Sequence, residues 1–98
     1  MAFADSYDFE LLKNEAELLV VQELERQLAT QDEDICRCNE CIVDMAAIAL
    51  NAVKPLYRFS LLGTLYTAQA MNEQSYAESI QQAVAQAIVK VNGNPAHD

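Results

Sequence analysis

The chain has 98 residues, the length of one domain, and its hydrophobic fraction of 52% is that of a globular protein rather than a disordered one. It contains only two glycines and two prolines, which disfavours a turn-rich all-β fold and predicts an all-α fold. Fifteen acidic residues against six basic ones give a net charge of −9. This charge argues against the broad basic face of most nucleic-acid-binding proteins.

The predicted organisation is one helical domain over residues 8–92 between short tails at 1–7 and 93–98. Residues 1–10 are acidic and show no signal-peptide pattern. The most apolar stretch, residues 42–50, is much shorter than the roughly 20 residues that a membrane-spanning helix needs. We therefore expect a cytoplasmic protein without membrane contact, in a reducing compartment that suits its clustered cysteines.

The first predicted helix spans residues 8–29, with Ser6 or Asp8 as its N-terminal cap. Its apolar positions cover more than half of the helix circumference, whereas a helix at the surface of a monomer needs one apolar stripe. The excess predicts burial on two sides, with a second subunit covering the second side. These positions are Leu11, Leu12, Leu18, Leu19, Val20, Val21, Leu24 and Leu28.

The middle of the chain contains an acidic break and a second helix. Residues 30–35 carry three acids without apolar periodicity, which indicates a solvated loop, or a loop in which one acid binds a metal. The second helix is predicted over residues 41–53, with Asn39 as its cap. Asp44 and Asn51 are its only polar residues, so we expect this helix at the centre of the fold.

An apolar connector follows the second helix. Pro55 ends that helix because it disfavours helical geometry at Lys54. The connector over residues 54–63 is expected to pack on the core, a partner subunit or a ligand, since an apolar loop is unfavourable in solvent. Residues 64–71 form a short helix or begin the next one. The apolar side chains of the connector are Leu56, Tyr57, Phe59, Leu61 and Leu62.

The last predicted helix spans residues 72–91 and has a clean apolar stripe with helical spacing. Asn92 and Gly93 end it, and Pro95 prevents it from restarting. Together these elements predict an all-α domain of three main helices plus a short connecting helix. The stripe consists of Tyr76, Ile80, Ala83, Val84, Ala87, Ile88 and Val91.

The strongest local motif is a cysteine cluster, Cys36-x-Cys38-x-x-Cys41. Three thiolates on a turn that leads into a helix can bind one zinc ion, which prefers four tetrahedral ligands. The alternatives are three reduced cysteines that pack near a helix start, or redox chemistry. A catalytic thiol is not expected, because the only histidine is the penultimate residue. Candidates for a fourth ligand are Asp32, Glu33, Asp34, His97, a water molecule or a group from another subunit.

Two further groups of polar residues are candidate ligand contacts. Asp44, near the start of an apolar helix, either tethers the cysteine loop or accepts a hydrogen bond from a ligand such as guanine. In the second group, arginine can read guanine, lysine can contact phosphate and tyrosine can stack on a base. The alternative is a core tyrosine with solvated cations. This second group is Asn51, Lys54, Tyr57 and Arg58, around Pro55.

The stretch over residues 34–57 resembles the ComFB family of late-competence development proteins. The cysteine cluster is followed at family spacing by an apolar helix and a proline–tyrosine pair, and the flanking helices match in length and pattern. This combined spacing is more specific than the cysteines alone. The matching residues are Asp34, Ile35, Cys36, Cys38, Cys41, Asp44, Met45, Ala47, Ala49, Leu50, Asn51, Val53, Pro55 and Tyr57.

The resemblance implies a small all-α homodimer, with zinc at the cysteine cluster in at least some members. It also implies a role as a receptor for cyclic di-GMP, known for members outside the competence setting. A symmetric dimer suits this ligand, because both have a twofold axis. The family name comes from a competence operon and does not establish a part in DNA uptake. The net charge of −9 argues against direct DNA binding.

The chain departs from the family pattern just before Tyr57. The family usually carries two prolines and a basic residue there, whereas this chain reads Lys54-Pro55-Leu56-Tyr57-Arg58. Lys54 replaces one proline and Leu56 replaces the basic residue, while Arg58 offers a substitute on the other side. If the residue before the tyrosine contacts the ligand, this departure predicts weakened or lost nucleotide binding.

Two functions of different classes follow. The first is a dimeric receptor that binds cyclic di-GMP and relays the signal to a protein partner. Arg58 and Lys54 would then contact phosphate or guanine, Tyr57 would stack, and Asp44 and Asn51 would be polar anchors. The second is a zinc-stabilised structural or interaction module, a competence-type accessory protein that binds no nucleotide. An enzyme is not expected, since the sequence offers no nucleophile–base pair and no glycine-rich phosphate loop.

Overall fold

The computed structural model of the chain describes residues 2–31 and 34–94. This part of the chain contains four α-helices and one small antiparallel sheet of two strands. The prediction of an all-α domain with three main helices and a shorter one is confirmed. The elements are short 3-10 turns at Phe3–Ser6 and Phe9–Leu11, β1 (Lys13–Asn14), α1 (Ala16–Leu28), α2 (Asn39–Ala52), β2 (Tyr57–Arg58), α3 (Leu61–Met71) and α4 (Gln74–Gly93).

The core lies between α1, α2 and α4. Helix α4 packs most extensively on α2, and α1 contacts both of them. Met45 of α2 and Val84 of α4 are almost completely buried at the centre. The predicted stripe of α4 is confirmed, because its buried residues are Tyr76, Ile80, Ala83, Val84, Ala87, Ile88 and Val91.

Helix α1 begins at Ala16, so the prediction of a helix from Asp8 was wrong. The amide oxygen of Asn14 accepts hydrogen bonds from the backbone N–H of Ala16 at 3.2 Å and of Leu56 at 2.8 Å. The backbone N–H of Glu15 donates to the Leu56 carbonyl at 2.9 Å. These bonds hold the preceding residues in a strand against the α2–α3 connector, which prevents the helix from starting earlier. Asp8 instead caps the second 3-10 turn, where it accepts from the Glu10 amide.

Only some of the apolar residues predicted for the first helix are buried. The helix buries one stripe, and four leucines and valines that the sequence places on an apolar face are half exposed instead. The exposure of these four side chains is consistent with the expectation that the first helix has more apolar surface than one chain can bury. The buried stripe is Ala16, Val20, Leu24 and Leu28, and the exposed residues are Leu11, Leu12, Leu18 and Val21.

Helix α2 starts two residues earlier than predicted, and its cap is Cys38 rather than Asn39. The helix ends at Ala52 because Val53 is extended, as expected near a proline. It buries one face, made by Cys41, Met45 and Ala49, whereas Val43 on the other side is 57% exposed. The prediction that this helix is buried at the centre of the fold is therefore confirmed for one of its faces only.

The α2–α3 connector is short and only partly buried. Leu56 is 1% exposed and anchors it to the core, but Tyr57 and Phe59 are mostly exposed. Helix α3 begins at Leu61 because the Ser60 hydroxyl accepts from the Gly63 amide at 3.3 Å. Gly63 thus belongs to a helix, not to the connector. Of the three alternatives expected for the connector, packing on this chain's core holds for Leu56, whereas Tyr57, Phe59 and Leu62 remain exposed on the single chain.

The molecule is flat. Its principal extents are 45, 39 and 17 Å, and its radius of gyration is 15.6 Å. A compact domain of this length has a radius of gyration of about 13 Å. A thin shape leaves more apolar surface uncovered. None of the helices described in residues 2–31 and 34–94 has the length and hydrophobicity needed to cross a lipid bilayer.

We expect Asn14→Ala to destabilise the fold, since it removes the acceptor for two backbone donors at once. The expected loss is about 2 kcal/mol of unfolding free energy. This corresponds to a melting temperature lower by roughly 10 °C, measurable by circular dichroism. Asn39→Ala, at an exposed helical position, is the control and should melt like the wild type. Equal melting temperatures for Asn14→Ala and the wild type would contradict this role.

Candidate functional site

The three cysteines converge as the motif predicts. Their sulfur atoms all lie within 4.8 Å of one another, with Cys41 buried and Cys36 and Cys38 half-buried. In a tetrahedral zinc site with Zn–S bonds of about 2.3 Å, neighbouring sulfurs are roughly 3.8 Å apart. The donor set and its spacing therefore fit a zinc ion after small side-chain rotations. Asp34 is exposed and is not part of this cluster, and the other protein candidates for a fourth ligand, Asp32, Glu33 and His97, lie outside the described residues.

The cysteine loop is tied to the end of α1. The guanidinium of Arg37 donates from Nη2 to the carbonyl of Leu28 at 2.9 Å. This carbonyl belongs to the last residue of α1, where the carbonyl groups have no further N–H donors within the helix. Ile35 is 7% exposed and adds an apolar anchor next to the first cysteine. The position of the loop is thus set by the helix end before it as well as by α2 after it.

The N-terminus of α2 favours the thiolate form of Cys38. The backbone N–H of Cys41 donates to the Cys38 sulfur at 3.4 Å. This hydrogen bond lowers the pKa of the Cys38 thiol, the side chains of Cys36 and Cys41 act in the same direction, and partial burial opposes them. A helix N-terminus also stabilises negative charge. Because zinc binds thiolates, this environment suits a metal ligand.

Asp44 and Asn51 lie on one side of α2. They are seven residues apart, which places them on the same face about 10 Å from each other along the axis. Asp44 is half-buried and Asn51 is exposed. Asp44 lies in the second turn of the helix, so its predicted place near the first turn, which rested on a later helix start, was wrong.

The strand β2 carries the other two central candidates. Tyr57 is 55% exposed, so the alternative that it belongs to the core does not hold. Arg58 lies directly opposite Lys13 of β1, a spacing that puts the two Cβ atoms about 5 Å apart. The Arg58 guanidinium forms a short ion pair with the carboxylate of Glu15, and both side chains are partly buried.

A cavity of about 460 Å³ opens beside this pair of cations. Its size falls in the range of ligand pockets, about 300–1,000 Å³. It offers two cations and two carboxylates as well as apolar surface. The lining residues are Leu12, Lys13, Asn14, Glu15, Glu17, Leu18 and Arg58.

Lys54 lines a different and smaller cavity. This cavity of about 160 Å³ also contains Gln69, Glu73 and Tyr76. The Tyr76 hydroxyl donates to the Lys54 carbonyl at 2.7 Å, and burial raises the pKa of that hydroxyl. The five predicted ligand contacts are therefore distributed over β2, α2 and a second cavity, and one chain does not gather them around a single space.

The sequence prediction missed Lys13, Asn14 and Glu15, because it placed all three inside the first helix. A signal was present. Asn14 is followed three residues later by Glu17, which is a capping pattern at a helix start. With Asn14 as the N-terminal cap, the helix would begin after this residue, and Lys13 would lie in an extended segment before it.

Comparisons with known proteins agree with this fold. A family model described as late competence development protein ComFB matches residues 13–95. Among solved structures, the chain is similar to the late competence protein ComFB from Bacillus subtilis, with a TM-score of 0.68 and 24% sequence identity over 86% of this chain and 91% of that chain. This likeness concerns the fold. No curated protein is significantly similar in sequence. Because the family model spans most of its length, the chain belongs to the ComFB family.

Proposed function

We propose that the chain is a small regulatory protein without enzymatic activity, which as a homodimer binds cyclic di-GMP and relays this signal to a protein partner. The observation that carries the proposal is the alignment of Arg58 and Lys13 across β1 and β2, on a strand whose preceding residue, Tyr57, has an exposed ring. Two adjacent cations attract a phosphate group, and a free tyrosine face can stack on a guanine.

The distribution of the candidate residues supports a dimeric site. Arg58 and Lys54 line separate cavities, and Asp44 and Asn51 lie on α2. A twofold interface repeats every residue, so a second copy can bring such separated groups to one ligand. Cyclic di-GMP has two guanines and two phosphates related by the same symmetry. The proposal therefore needs the dimer as well as the nucleotide.

Exposed apolar side chains on two helices are available for this interface. Leu18 and Val21 of α1 are 53% and 55% exposed, and Leu62 and Leu65 of α3 are exposed still further. Burial of such side chains between subunits is favourable by roughly 25 cal/mol per Å² of apolar area. The thin shape of the single chain is consistent with a partner that covers part of this surface.

We expect Val21→Glu to dissociate the dimer, because a buried carboxylate without a partner is unfavourable in an apolar interface. Sedimentation should show a dimeric mass for the wild type and a monomeric mass for the variant. Val89→Glu is the matched control, since Val89 is equally apolar and exposed on α4. A monomeric wild type, or a Val21→Glu variant with unchanged mass, would contradict the proposed interface.

Glu15 has a specific part in the proposed site. Its carboxylate pairs with the guanidinium that would contact phosphate. An incoming phosphate must therefore replace or share this partner, while the negative charge of Glu15 also repels it. The residue keeps Arg58 oriented and weakens nucleotide binding at the same time. Because Glu15 and the phosphate compete for Arg58, substitution of Glu15 tests the binding proposal.

We expect Glu15→Gln to strengthen cyclic di-GMP binding about tenfold in calorimetry, equivalent to about 1.4 kcal/mol. Glu17→Gln is the charge-matched control, because Glu17 lines the same cavity without an observed pair to Arg58. It should change the affinity much less. Arg58→Ala and Tyr57→Ala should each weaken binding. Equal effects of the two glutamate variants would contradict the competition, and no binding by any variant would contradict the nucleotide proposal itself.

The second candidate function is a zinc-stabilised interaction module that binds no nucleotide. The convergence of three sulfurs on one side of the α2 start favours it. Zinc bound there would join the cysteine loop to α2 and so reinforce the tie between α1 and α2. In this case the surfaces of the domain would recruit a partner without a small ligand. The two candidates share the metal centre and differ only in the nucleotide.

We expect one zinc ion per chain in protein purified under reducing conditions, and a loss of that zinc in Cys38→Ser. Because binding free energy of a structural metal contributes to folding, chelator should lower the melting temperature of the wild type. Arg37→Ala should weaken zinc binding less than Cys38→Ser, since it loosens the loop without removing a ligand. Metal analysis combined with thermal melting tests this. Equal zinc content in the wild type and Cys38→Ser would contradict the site.

A further inference from the structure

An apolar surface lies at the N-terminal end of the domain, next to the cavity beside Arg58. Phe3, Tyr7 and Phe9 form an aromatic cluster with ring centroids 4.8 to 6.4 Å apart. Each of these rings is more than half exposed. Together with three neighbours they form what we call the N-terminal patch. Its members are Phe3, Tyr7, Phe9, Leu11, Leu12 and Phe59.

We propose that the N-terminal patch is the docking surface for a partner protein, and that this partner presents an amphipathic segment with an apolar face and basic flanks. The inference extends the proposed relay to a partner, and its test requires neither nucleotide nor metal. It therefore stands or fails separately from cyclic di-GMP binding.

The shape and size of the patch suit a short segment of another protein. Five of its residues, together with Asp8, line a groove of about 280 Å³ that is almost entirely apolar. The four aromatic side chains alone expose on the order of 500 Å². This is at the upper end for the largest apolar patch of a monomer, about 300–600 Å². It is smaller than the roughly 800 Å² per partner of a standard interface, as expected for an anchor segment.

The charges around the patch select the partner. Asp5, Asp8 and Glu10 are interleaved with its aromatic residues, and the first basic residue of the chain is Lys13. In a symmetric contact with a second copy, this acidic surface would face an identical acidic surface, and juxtaposed like charges are unfavourable by several kcal/mol. Anionic lipid surfaces are repelled for the same reason. A segment with lysines or arginines beside an apolar face can cover the aromatic residues and also pair with the three acids.

The position of the patch connects it to the proposed ligand site. Leu12 lines the apolar groove and also the cavity that contains Arg58. A change of side-chain packing around Leu12 therefore reaches both surfaces. Except for Phe59, the patch lies before residue 13, where the match to the family model begins. The docking surface is thus an addition to the part of the chain that matches the family.

The test is a nuclear magnetic resonance titration of the full chain with a synthetic amphipathic peptide of leucines and lysines. A peptide with the same leucine pattern and glutamates in place of lysines is the charge control. We expect the basic peptide to shift the amide signals of the patch residues, and the acidic peptide to leave them unchanged. Phe9→Ala and Asp8→Asn should each weaken binding, Phe9→Ala by at least about tenfold.

Matched variants separate docking from general attraction to an acidic protein. Val89→Ala shortens an apolar side chain on α4 that is more exposed than Phe9, and Glu25→Gln removes one acid from the exposed side of α1. Both should bind the peptide like the wild type. The proposal is overturned if signals shift without preference for the patch, or if Phe9→Ala binds as tightly as Val89→Ala. It is also overturned if the patch instead binds anionic vesicles, or mediates self-association that Phe9→Ala abolishes.

Discussion

The side-chain amide of Asn14 is the contact on which the candidate ligand site depends. Its oxygen accepts from Ala16, the first residue of α1, and from Leu56 of the connector, which are 40 residues apart in sequence. Because it holds β1 on β2, it fixes the residue at which α1 begins and places Lys13 opposite Arg58. The same register leaves the Tyr57 ring in solvent and brings Glu15 to the Arg58 guanidinium. One half-buried amide thus determines which charges the candidate ligand site contains.

Helix α1 joins two candidate sites that lie at its opposite ends. Its N-terminus carries Glu15 and the strand pair, and its last carbonyl accepts from Arg37 of the cysteine loop. A helix of 13 residues spans about 20 Å, and its buried stripe packs it against α2 and α4. In the proposed function, zinc at the cysteine cluster would therefore support the helix that positions β2, without contact with the nucleotide. Zinc and nucleotide are connected in the proposed function through this rigid element.

The fold class and the stripe of α4 could be predicted from sequence, because helical spacing and scarce glycine and proline are local signals. The convergence of the three cysteines was predictable for the same reason, since six positions around a helix start bring them close together. The start of α1 had only a weak local signal, the capping pattern of Asn14 and Glu17, and what fixes it is a hydrogen bond from the backbone N–H of the distant Leu56 to the Asn14 side chain, which overrides the helical propensity of residues 8–15. The pairing of Arg58 with Glu15, and the separation of Lys54 from Arg58, also depend on contacts between distant segments. The exposed side of α1 was predicted as surplus apolar surface, and no contact within the described residues of one chain covers Leu18 and Val21.

The most direct measurement is the stoichiometry of cyclic di-GMP binding by metal-replete protein, from calorimetry combined with sedimentation of the same sample. We expect one nucleotide for each dimer, with an affinity in the micromolar range or tighter and with much weaker heat from cyclic di-AMP and GTP. One nucleotide bound to each monomer would contradict a site completed by twofold symmetry. No heat at high micromolar nucleotide would contradict the receptor function and leave the zinc-stabilised interaction module as the function of this domain.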